Sequence, residues 1–161
     1  MRGMLACQGT PGYRTVGVSD TGHLVRLEFP SHFDMLDLVQ VLSDHVGRVG
    51  RLDEDAMHWV GVAVRESVIN AIKHGNDEDE GKRVVVEFQF EPMGEPRQLI
   101  VRVVDHGKGF DPEAVADPLA PENLLKSSGR GIFFMKSFMD DLRLVPVPGG
   151  GTEVRMVKKL G

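Results

Sequence analysis

Residues 66–75 read Glu66-Ser67-Val68-Ile69-Asn70-Ala71-Ile72-Lys73-His74-Gly75, and they close the longest helical stretch of the chain. From Asp53 to Lys73 there is no proline and one glycine, and Met57, Val60, Val64, Val68 and Ile72 recur at helical spacing. Asp53 with Glu54 and Asp55 in the first turn favours a helix N-terminus. Gly75 and Asn76 end the helix. Glu66 and Asn70 are four residues apart and Lys73 three further on, so the spacing puts all three on one face. Such a face reads equally well as a solvated stripe. Asn70 argues for more, because Ile69, Ala71 and Ile72 surround it, and a partly buried asparagine needs hydrogen-bond partners or a ligand.

Working outward, Val25, Leu27 and Phe29 alternate with Leu24, Arg26 and Glu28 in a strand that Pro30 closes. Ser31 with Asp34 resembles a capping box and starts a helix over 32–48 that buries Phe33, Leu36, Val39 and Leu42. After the polar turn 77–82, Val84, Val86, Phe88 and Phe90, then Leu99, Val101 and Val103, give two alternating strands joined through 92–97 as an antiparallel hairpin. The irregular stretch from 106 to 128, with a short helix around 121–125, has the length of a functional loop or lid. A helix over 130–139 and strands over 141–147 and 152–158, with a turn at Gly149–Gly151, complete an α+β sandwich of helices over a sheet. Residues 1–22, with five glycines and little periodicity, read as a flexible N-terminal arm, and 23–161 as one domain.

Three glycine clusters stand on the way. Asp105-His106-Gly107-Lys108-Gly109-Phe110-Asp111 sets a carboxylate at the end of an apolar strand, before two glycines that let backbone approach closely. Ser127-Ser128-Gly129-Arg130-Gly131-Ile132 puts glycines at a helix start, where amides and dipole suit an anion and Arg130 adds a positive fork. Gly149-Gly150-Gly151-Thr152 reads as a hairpin turn. Alone, each is also an ordinary turn.

Composition narrows the classes. The chain has 161 residues with 19 Lys+Arg against 24 Asp+Glu, a formal charge of −5, which argues against nucleic-acid binding through an overall basic surface. Cys7, the single cysteine, makes neither an internal disulfide nor a thiolate cluster. Six histidines lack metal-ligand spacing. No apolar run reaches membrane-spanning length and the N-terminus lacks a signal-peptide core, so the expectation is one cytoplasmic domain. Ser67 reads as a helix-surface residue, His74 as a group packing near the helix end, and Trp59, Phe133 and Phe134 as core or interface.

The order Glu-x-x-x-Asn-Ala-x-x-His-Gly, Asp-x-Gly-x-Gly-Phe-Asp, Gly-Arg-Gly-Ile and Gly-Gly-Thr resembles the N-box and three glycine boxes of the GHKL ATPases. Within them the chain is similar to the bacterial anti-sigma-factor serine/threonine kinases, over all but the N-terminal arm. The resemblance implies a Bergerat sandwich with a mixed, mainly antiparallel sheet, and ATP with Mg²⁺ as ligands. It implies Glu66 as general base, Asn70 as Mg²⁺ ligand and Lys73 as a phosphate contact. Asp105 would accept from the adenine amino group, with Thr152 supporting that edge and Gly107 and Gly109 letting the base approach backbone. Gly129, Arg130, Gly131 and Ile132 would form the phosphate box. The implied activity is transfer of the γ-phosphate to a serine of a STAS-domain anti-anti-sigma factor, with a sigma factor as the alternative partner. Dimerisation through the first strand and helix, 23–46, is also implied. A non-catalytic, nucleotide-gated binding module and a stand-alone histidine-kinase-like ATPase domain are the alternatives.

Overall fold

The computed structural model describes residues 14–18, 24–92, 95–109 and 135–161. Strands β1 (Arg14–Val18), β2 (Leu24–Pro30), β3 (Arg83–Glu91), β4 (Gln98–Val104), β5 (Asp141–Pro146) and β6 (Thr152–Lys159) form one sheet in the order β1-β2-β3-β4-β6-β5. Helices α1 (Leu36–Val49) and α2 (Glu54–Asn70) lie between β2 and β3. Two packed helices carry the chain away and back, so β3 returns against β2. Every described pairing is antiparallel, in keeping with the mainly antiparallel sheet expected. Residues 14–18, within the stretch expected to be a loose arm, pair with β2 at the sheet edge, Gly17 opposite Arg26.

Strand periodicity sets the core. Leu27, Val86 and Val103 align across the sheet, as do Phe88, Val101 and Met156, and all six are buried. Burial of each such side chain contributes about 1.5–3 kcal/mol. Facing them, α1 buries Leu36, Val39 and Val46, and α2 buries Val60, Ala63, Val64 and Val68. Helix α2 starts where the acidic run announces it, with Asp53 Oδ1 accepting from the Ala56 amide at 2.7 Å. Trp59 stacks on Phe138 with ring centroids 3.6 Å apart, tying α2 to the helical residues 135–138.

The start of α1 departs from expectation. Ser31 does not cap it: its hydroxyl donates to the Lys82 carbonyl at 3.0 Å and accepts from Asn76 Nδ2 at 2.7 Å. His32 takes the cap, its Nδ1 accepting from the Asp34 amide at 3.3 Å, and a 3-10 turn at Phe33–Met35 precedes the helix. That turn leaves Phe33 exposed where the spacing predicts burial. Leu38 and Val41 are exposed as well, at 48% and 66%, and border a hollow with Leu42, Asp44, His45 and Arg48. No described helix is long and apolar enough to cross a membrane.

Candidate functional site

Strand β4 delivers Asp105 to the base of a cavity of about 480 Å³. Its carboxylate is buried, and Oδ1 accepts from the Gly107 amide at 2.9 Å and the Thr152 amide at 3.2 Å. The Asp105 amide in turn donates to the Thr152 carbonyl at 3.0 Å, lacing the end of β4 to the start of β6. Burial raises the Asp105 pKa above its ordinary value; the two amide bonds and the nearby charges of His106 and Lys82 oppose that shift. A carboxylate held this way, with one oxygen committed to backbone, presents its other oxygen as an oriented acceptor.

Two glycines make the approach possible. Gly151 has φ +103°, and a Cβ there would overlap the Asp105 carbonyl. A Cβ on Gly107 would overlap the carbonyl oxygen of Gly75, backbone against backbone. Gly107→Ala is therefore expected to cost at least about 1–3 kcal/mol, a fall in melting temperature of several degrees for a domain of this size. A variant that melts with the parent would show that the contact is loose.

The end of α2 supplies the adjoining part of the lining. At Ala71–Gly75 the helix widens into a single π-type turn closed by the Asn76 amide donating to the Ala71 carbonyl at 2.8 Å. Such turns insert one extra residue and recur at functional sites. Asn76 explains it here: fully buried, it donates through Nδ2 to Ser31 Oγ and to the Arg83 carbonyl at 2.9 Å, and its Oδ1 accepts from the His106 amide at 2.8 Å. One side chain thus fixes the helix end, the entry to α1, the start of β3 and the turn after Asp105.

Of the residues singled out from sequence, Asn70, Asp105, Gly109 and Thr152 line the cavity together. Glu66 is half-buried and Lys73 exposed, and neither belongs to the lining. His74, two turns beyond Ser67 on the same helix face, lies on the lining, where packing near the helix end was the expectation. Gly107 is buried against Gly75 and is not on the lining. Gly129, Arg130, Gly131 and Ile132, and with them Phe133 and Phe134, lie outside the described residues. Ser67 corrects a second reading: it has no exposed surface, and it lines the cavity. Its place in the apolar series Val60, Val64 and Val68 was the available signal. Asp77 and Lys108, also on the lining, carried none.

Residues 30–158 match the family model described as the histidine kinase-like ATPase domain. The chain belongs to that family. An anti-sigma F factor of Pasteuria penetrans is 37% identical over 106 residues, 63% of this chain and 67% of the relative. Another, from Thermoanaerobacter sp. strain X514, is 35% identical over 104 residues, 63% and 69% of the two chains. The anti-sigma F factor of Anoxybacillus flavithermus is 35% identical over 118 residues, 70% and 77%. The solved mycobacterial sensor histidine kinase MprB superposes with a TM-score of 0.53 at 18% identity, covering 83% of this chain and 95% of that one, and so shares the fold. The protein is an ATP-binding, kinase-like domain of this ATPase family, related to the anti-sigma-factor regulators.

Proposed function

We propose that this ATPase domain is a protein serine kinase that transfers the γ-phosphate of ATP to a STAS-domain antagonist and exchanges that antagonist for a sigma factor. The observation that carries it is Asp105, a buried carboxylate oriented by two backbone amides on the same cavity lining as Asn70. Asp105 accepts from the adenine amino group, Thr152 supports the same edge, and Gly109 lets the base lie against backbone. Asn70 offers its amide oxygen to Mg²⁺; hard cations take oxygen ligands. Mg²⁺ in a nucleotide site is held by one or two protein oxygens plus phosphates and water. Bound Mg²⁺ supplies charge neutralisation on the phosphates. Arg130 and the amides at Gly129, Gly131 and Ile132 take the phosphate oxygens, with Lys73 at the rim. Glu66 orients the incoming serine hydroxyl and accepts its proton. Positioning and charge stabilisation are what phosphoryl transfer asks of a protein.

A second reading has its own support. Glu66 and Lys73 stand off the cavity lining, which favours a nucleotide-gated binding module without transfer. Calorimetry with ATP, with and without Mg²⁺, followed by γ-labelled ATP transfer onto a STAS-domain protein from the same genome, separates the two. The kinase reading expects label on a serine. Tight ATP binding with no label, and partner capture that depends on nucleotide, would establish the gated module. No adenine-nucleotide binding at all would refute both. The exposed Leu38 and Val41 on α1 support a homodimer through 23–46, expected to be lost on charged substitution at Val41 and read by light scattering.

A further inference from the structure

Helix α2 holds a polar atom that the described residues leave unsatisfied. Ser67 Oγ is buried and has no hydrogen-bond partner among the described residues, and Ser67 lies on the cavity lining. Buried helical serines ordinarily bond the carbonyl one turn back. Ser43 in α1 does so, donating to the Val39 carbonyl at 2.8 Å. Ser67 does not, although it sits equally deep in its helix. An unpaired buried hydroxyl costs stability, and retaining one on a cavity wall points to a ligand that completes it.

The surroundings select the part of the ligand. Val103, Val154 and Met135 share the lining with Ser67, and all are apolar. Of the ionisable lining groups, His74, Asp77 and Lys108 are exposed, and the buried one, Asp105, is an acceptor that repels an anion. A phosphate would not be carried to a buried wall without a basic group. A flat base with apolar faces and a polar edge fits it. Resting on the nucleotide reading above, we infer that Ser67 is a specificity-determining residue whose hydroxyl hydrogen-bonds the adenine base, directly or through one water, beside the edge that Asp105 reads.

The test is Ser67→Ala, titrated with ADP and GDP by calorimetry and melted without nucleotide. ADP affinity is expected to fall about ten-fold, and the preference for ADP over GDP to narrow. The nucleotide-free melting temperature should hold or rise, because the variant removes an unpaired hydroxyl and alanine is the better helix former. Unchanged ADP affinity in the variant, with the parent binding normally, overturns the inference and leaves the nucleotide reading intact. A lowered melting temperature with unchanged affinity would assign Ser67 a structural role instead. A parent protein that binds no ADP would remove the nucleotide reading itself, and this inference with it.

Discussion

Glu66→Ala is expected to lower γ-phosphate transfer to a cognate serine by about 10²–10⁴-fold, the usual worth of a positioned general base, while Mg-ATP affinity stays near the parent value. The two readouts separate because of where Glu66 sits. It precedes Asn70 by one helical turn, half-buried and off the lining of the cavity, so its loss removes no contact from the base pocket. Single-turnover transfer measured beside calorimetric affinity makes the comparison. Equal transfer by the variant would exclude Glu66 as the base; a parallel collapse of affinity would instead place it among the binding groups.

Asp105→Asn is expected to weaken ADP binding by about 10–100-fold, since a lost acceptor leaves the adenine amino group facing a donor, a mismatch of about 1.5–3 kcal/mol. Discrimination against GDP should shrink, because the asparagine amide can donate to the guanine oxygen. The carboxylate must be ionised to act, and burial raises its pKa. ADP affinity in the parent should therefore fall as pH drops through a value above the ordinary carboxylate range, and the variant should lack that step. The stability sign runs the other way. A raised native pKa contributes stability that is full below the unfolded value and lost as pH rises through the native one. The variant, with no charge to bury, should thus melt no lower than the parent at neutral pH. A pH-independent ADP affinity in the parent would contradict the role given to Asp105.

Much of this was legible in the chain itself because the signals are local. Two-residue alternation in Val84, Val86 and Phe88 needs only the pleat to choose a face, and those residues form the core of β3. Asp53 before an acidic turn caps its helix whatever lies around it. The spacing of Asn70, Asp105 and Thr152 was readable, and the fold brings these three to one cavity. What misled were polar residues whose partners are distant in sequence. Ser31 looked like a cap until Asn76, forty-five residues on, and Lys82 took its hydroxyl. Ser67 looked like surface because of its polar type, although its spacing from Val60 and Val64 puts it on the buried stripe of α2.

By itself, then, the sequence determined the alternation of strands and helices, the carboxylate at the end of a buried strand and the glycines around it, because each depends on neighbours within a turn or a pleat. Only the tertiary structure decided which face of α2 meets the cavity. Asn76 must satisfy three segments at once, and the helix widens by one residue where it does so; the face that results presents Ser67, Asn70 and His74 to the cavity and leaves Glu66 and Lys73 off it.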